Sequence, residues 1–146
     1  MNKLAAADPS KIMGVYVAFL RALYIIHQNN HWQFHGYDTH LLFQRLYEAK
    51  QENADGAAEK TVGLFGEKAI DITSQIATIQ KLCLKFAEPG GIESSLAMEE
   101  EFLKFSKNAY ESIKNSGAMT HGLDDLIMSI TSKSEEAVYL LRQSIS

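Results

Sequence analysis

Residues 27–59 read HQNNHWQFHGYDTHLLFQRLYEAKQENADGAAE, and the rest of the chain is organised around them. Four of the five histidines, His27, His31, His35 and His40, fall in the first fourteen of these residues. Asp55 and Glu59 close the stretch at i,i+4 spacing, which puts both carboxylates on one face of a helix. Imidazole together with carboxylate is a ligand set that suits iron and its first-row neighbours. Gly36 splits the stretch, and it splits the fold too. A helix ends before it, Tyr37-Asp38-Thr39 forms a short polar turn, and a second helix runs from about Thr39 to Phe65, stopped by Gly66. So short a turn implies an antiparallel helix pair.

Upstream, Asp8-Pro9 is a helix start, with an Asp cap and proline at the first helical position. Only Gly14 interrupts helical character from there to His35. Apolar residues recur at helical spacing through Ile12, Tyr16, Phe19, Leu20, Leu23 and Ile26. The run VYVAFLRALYII is apolar around more than one face. It suits a helix buried by its own bundle and by another chain, or a helix lying deep in one core. On the second helix Leu42, Leu46 and Ala49 make an apolar stripe, and Ala54, Ala57 and Ala58 permit close helix approach.

Residues 67–93 form the longest connection. It contains a helical pattern (Ile70, Ile76, Ile79, Leu82, Leu84) closed by Glu88-Pro89-Gly90-Gly91. A connection of that length with its own helix suits a crossover between parallel helices. A third long helix is predicted from Ser95 to Asn115, with Glu99, Glu100 and Glu101 near its positive end. A fourth runs from about Thr120 to the C-terminus, with Arg142 in its last turn. No strand-like alternation, internal repeat or low-complexity tract interrupts this pattern. The expected fold is all-α: one domain over residues 1–146, a four-helix bundle with one long crossover containing a short extra helix.

At 146 residues, with 46% hydrophobic and 22% charged residues, the chain suits one soluble domain with a real core. Its continuous apolar runs are short of a bilayer span, and the N-terminus lacks a secretory h-region. Cys83 is the single cysteine, consistent with a reducing compartment, so a cytoplasmic protein is expected. A net charge of −4, with only Lys3 and Lys11 in the first eleven residues, argues against a nucleic-acid surface.

His27, His31 and His35 would share one helix face, an arrangement that binds metal or is simply surface. Asp55 and Glu59 read equally as a solvated acidic patch beside Lys60. Distance separates these readings. Asp55 lies fifteen residues beyond His40 on one helix, roughly 22 Å along its axis, whereas ligands stand about 2 Å from their ion. One chain cannot join His40 to Asp55. Two hairpins paired antiparallel across a two-fold axis can, and they make two identical sites. An intrachain di-iron core of the Glu-x-x-His kind is disfavoured, since no histidine here has Glu three residues before it.

His31-Trp32, Gly36, His40 and the segment DGAAEK at 55–60 together resemble the ferroxidase motif of the Dps-type miniferritins, and EEAVYLLRQ near the C-terminus resembles that family's last helix. The resemblance implies a ferritin-like bundle assembled as a hollow twelve-chain cage. Its sites would lie between two-fold-related subunits, with His31 and His40 from one subunit and Asp55 and Glu59 from the other binding iron. Trp32 would sit beside the site. Fe(II) would be oxidised by hydrogen peroxide or oxygen and stored as ferric mineral, protecting against oxidative damage. Two departures stand out. The segment from Gly36 to His40 is about three residues shorter than in familiar members, and Gln44 occupies a position where the family usually has a carboxylate. Glu48 and Glu52 are substitutes further along. His27 and His35 are not expected to be primary ligands, and DNA binding is not expected. Asp124 and Asp125 are weak candidates to line an iron pore. Competing readings are a cage that only buffers metal such as Zn(II), and a helical interaction protein without metal chemistry.

Overall fold

The computed structural model describes residues 8–145; Lys3 lies outside them. Five helices follow one another: α1 (Pro9–Gln33), α2 (Tyr37–Phe65), α3 (Ile72–Lys85), α4 (Gly91–Asn115) and α5 (His121–Ile145), with a 3-10 turn at Glu67–Ala69. Among the described residues no strand occurs. Local chemistry sets the ends. Asp8 caps α1 through its carboxylate, which accepts from Ser10 N at 2.9 Å, and Pro9 follows. Gly66, at φ 94°, ends α2. Asp71 caps α3 by accepting from Ser74 N at 2.9 Å. Thr120 Oγ1 accepts from Leu123 N at 3.0 Å at the start of α5.

Several predicted boundaries move. α1 ends at Gln33, because Phe34 turns to an extended conformation, so His35 is outside the helix and shares no face with His27 and His31. Tyr37, Asp38 and Thr39 are the first turn of α2 rather than a turn before it. The stripe that α2 buries is Phe43, Leu46, Lys50, Ala54, Ala57 and Thr61, not Leu42 with Ala49. α4 begins at Gly91, four residues earlier than expected. That moves Glu99 to Glu101 away from the positive end of the helix dipole and leaves only Glu93 in the first turn.

Cross-helix pairs give the topology. His31 meets His40, so α1 and α2 are antiparallel. His27 meets Ser95 while Tyr16 meets Ser106, so α1 and α4 are antiparallel as well. α2 and α4 therefore run parallel, which is why a long crossover joins them. Around the bundle the order of neighbours is α1, α2, α5, α4. α3 lies along α1 and covers the side facing away from the bundle centre. Much of the double burial of α1 thus comes from its own chain. Gly14 makes the approach possible, since a Cβ there would stand 2.6 Å from the Ala69 carbonyl oxygen. By length and mean hydropathy of 1.3 α1 is apolar enough to cross a bilayer, and 61% of that window is buried in the bundle. Its apolarity is that of a core helix.

The core has two apolar blocks. The larger is built on Tyr16, Phe19 and Phe102, with ring centroids 5.2 Å apart in both Tyr16–Phe102 and Phe19–Phe102. The smaller gathers Phe43, Leu46, Ala137 and Leu141 near the α1–α2 turn. Between them lies a polar layer of His27, Lys50, Glu99 and Ser134.

Candidate metal centre

The α1–α2 turn brings two histidines into direct contact. The His31 and His40 rings stack with centroids 3.8 Å apart and planes 26° from parallel. His31 Nδ1 lies 2.9 Å from the His40 carbonyl oxygen, and His40 Nδ1 lies 3.2 Å from the His31 carbonyl oxygen. A carbonyl oxygen only accepts, so each Nδ1 carries the hydrogen and donates it. That leaves Nε2 of both rings with its lone pair. An imidazole whose Nδ1–H is tied to a backbone carbonyl is the usual form of a metal ligand, oriented and fixed in tautomer. Tyr47 stands edge-on to the His31 ring, with centroids 5.2 Å apart, and Tyr24 packs against Tyr47 in turn. His31 keeps 9% of its surface exposed.

Asp55 and Glu59 lie elsewhere. α2 is unbroken from Tyr37 to Phe65, so roughly 22 Å of helix separates His40 from Asp55. Both carboxylates are exposed, and among the described residues neither forms a salt bridge. Lys60, their neighbour in sequence, reaches toward Gly122 at the start of α5. Asp55 borders a largely apolar groove of about 340 Å³ between α1 and α2, lined by Val17, Tyr24, Ala54, Ala58 and Ile70 together with Arg21 and Gln51. Among the described residues no cluster of three or more metal-binding side chains forms within the chain. Within one chain the histidine pair and the carboxylate pair stay apart.

The flanking candidates sort themselves. The Gln44 amide donates to Glu48 Oε1 at 3.0 Å on the exposed side of α2. Glu52 and His35 are exposed, and Trp32, next to His31, is 67% exposed. Asp124 accepts a hydrogen bond from the Tyr110 hydroxyl at 2.9 Å, and that bond raises the tyrosine's pKa. Asp125 is exposed.

His27 behaves differently from every other histidine. It is wholly buried, with Nδ1 2.9 Å from Ser95 Oγ and Nε2 2.8 Å from Glu99 Oε2. Lys50 Nζ lies 3.0 Å from Glu99 Oε1 and donates to Ser134 Oγ at 2.5 Å. Asn30 Nδ2 donates to Ser95 Oγ at 2.7 Å and to the Gly91 carbonyl at 3.0 Å. Burial by itself would push the Glu99 carboxyl up, but the Lys50 ammonium and the His27 imidazole hold it below its ordinary value. The carboxylate is thus an anion in the bundle core. Sequence reasoning missed this group, although one signal was present: Lys50 continues the stripe through Leu46, Ala54 and Ala57.

No protein-family model matches the chain, and no curated protein is similar to it in sequence. Its structure is similar to the X-ray structure of Dps from Thermosynechococcus elongatus, with a TM-score of 0.78 over 94% of this chain and 90% of that one at 17% identity. The helix order, the crossover helix and the neighbour relations are therefore those of the Dps-type ferritin-like fold.

Proposed function

We propose that the chain is an iron-sequestering miniferritin whose ferroxidase site is completed between two copies. The observation that carries this reading is the stacked His31–His40 pair, with both Nδ1 atoms tied to carbonyls and both Nε2 atoms left for a metal. Two imidazoles need hard anionic partners to hold Fe(II), and Asp55 and Glu59 are exposed and form no salt bridge but stand about 22 Å or more from His40 along the same helix. A second copy, antiparallel across a two-fold axis, supplies them. The largely apolar groove beside Asp55 and the exposed Trp32, Ile72, Ile76 and Leu84 support such an interface. In a closed cage of this fold twelve chains of 16.3 kDa would give about 195 kDa. The protein is read as cytoplasmic.

Iron is the substrate. Two Fe(II) ions each lose one electron to one hydrogen peroxide, whose O–O bond breaks; with two waters the products are two FeOOH and four protons. The protein holds the ions by Nε2 and carboxylate oxygen while leaving positions open to the oxidant. Gln44, a neutral amide already donating to Glu48, is a poor ligand for a hard cation, so the site favours one tightly held iron over two.

Mixing the purified protein with Fe(II) and peroxide tests the reading. A ferric core of many atoms per chain is expected. Stoichiometric binding without oxidation supports a metal-buffering cage instead, and a monomer at micromolar concentration overturns the intersubunit site.

A further inference from the structure

Where the second half of α1 meets the end of α3 and the start of α4, the chain encloses a cavity of about 500 Å³. Its wall is mostly apolar, through Ile25, Ile26, Phe34 and Ala87, and no charged side chain lines it. None of the residues proposed to hold iron lines it either. The wall closes at Gly91, where a Cβ would stand 2.4 Å from the Phe34 ring, so only glycine lets α4 meet that ring.

Two buried polar side chains stand in this wall with hydrogen bonding left over. Asn30, 3% exposed, spends its amide nitrogen on the Gly91 carbonyl at 3.0 Å and on Ser95 Oγ at 2.7 Å. A carbonyl only accepts, so the Gly91 contact fixes which end of the amide is nitrogen. The other end, Oδ1, has no hydrogen-bond partner among the described residues and is not sealed from solvent. Ser94, 1% exposed, accepts from the Gly90 N–H at 2.7 Å. Its own hydroxyl hydrogen is donated to no acceptor among the described residues. The cavity therefore offers one oriented acceptor and one donor on an apolar, uncharged wall.

We infer that this cavity binds a small uncharged ring bearing an amide, whose N–H is donated to Asn30 Oδ1 and whose C=O accepts from the Ser94 hydroxyl. An ion of either sign would leave water for a wall with no countercharge, at far greater cost than a neutral group. The unpaired acceptor calls for a donor and the spare hydroxyl hydrogen for an acceptor; a cyclic amide carries both on one edge. The apolar wall suits the body of the ring, and cavities of this size with a few placed polar groups are the usual form of small-molecule sites. Asn30 cannot turn its amide without breaking two hydrogen bonds, so its acceptor is oriented before a ligand arrives.

Cys83, the single cysteine, lines the same cavity and serves as the reporter. The test uses the metal-free, full-length protein, so its outcome is independent of the ferroxidase reading. The probes are thymine, 1,3-dimethylthymine, which has no N–H, and orotate, which is an anion. Millimolar thymine is expected to slow the alkylation of Cys83 by N-ethylmaleimide, followed by mass. Dimethylthymine and orotate should need at least about ten times the concentration for equal protection, because each leaves a buried group unpaired. Ser94→Ala should weaken the thymine effect by a similar factor. Should that variant fail to fold, Ala87→Phe fills the space from an exposed position and is expected to abolish protection. The inference is overturned if thymine gives no protection, if dimethylthymine or orotate protects as well as thymine, or if Ala87→Phe leaves protection intact. It is equally overturned if Cys83 of the folded protein resists alkylation before any probe is added, because another copy then covers the cavity.

Discussion

His27 and His31 are one turn apart on the same helix, yet α4 and α2 put them to opposite uses. Both ring nitrogens of His27 are engaged by α4 side chains, Ser95 and Glu99, in a layer closed to solvent. His31 engages only Nδ1, through a backbone carbonyl of α2, and keeps Nε2 free near the surface. The difference shows what leaves a histidine nitrogen open rather than consumed in the core. It is not the spacing along α1, which the two share, but whether the facing helix meets the ring with side chains on both nitrogens or with a carbonyl on one.

The hardest blow to this contrast falls on the buried side. Glu99→Ala leaves the Lys50 ammonium without its anion, and a loss of about 3–5 kcal/mol in unfolding free energy is expected from urea midpoints. A loss under about 1 kcal/mol would mean that the layer holds little. On the other side, His31→Ala and Asp55→Ala should each slow Fe(II) oxidation at least about tenfold, or about 1.4 kcal/mol. The double variant should be little slower than the worse single one, because in the proposed site the two residues act together from different subunits. Additive losses would contradict a shared site.

Titration separates the regions more gradually. The Glu99 carboxyl titrates below its ordinary 4.5 in the folded chain. Its stabilisation is therefore complete above that value and lost as pH falls through the lower folded value. Urea midpoints should drop below pH 4.5 in the wild type and much less in Glu99→Gln. Tyr16 has the opposite sign. Burial pushes its hydroxyl up from 10.0 to about 12, against the hydrogen bonds from Ser106 and Thr131. Its contribution is present below pH 10 and fades between 10 and 12, and Tyr16→Phe should flatten that alkaline decline. The smallest effect is reserved for His35, exposed and outside the helix: His35→Ala should change stability by less than about 0.5 kcal/mol and leave iron oxidation unaltered.

Much of the architecture was legible because punctuation residues are local. Gly36, Gly66 and the Pro89-Gly90 pair mark ends that depend on φ and on a missing N–H, not on distant contacts. The hairpin followed from the short turn, and the meeting of His31 with His40 followed from the hairpin. The start of α4 was misplaced by four residues because Gly91 and its neighbours look like loop until the rest of the chain packs on them; Phe34 rests where a Gly91 Cβ would be. The buried layer was not legible because Lys50 and Glu99 are far apart in sequence, and their meeting depends on the register of α2 against α4.

The sequence by itself determined the helices, their order, the antiparallel hairpin and the separation of His40 from Asp55, because each follows from fixed helical rise and local turn chemistry. Only the tertiary structure decided which histidine is buried, which nitrogen each ring leaves free and where Lys50 finds its anion. The buried layer depends on how helices distant in sequence align, and a slip of one turn of α4 along α1 and α2 would part His27 and Lys50 from Glu99.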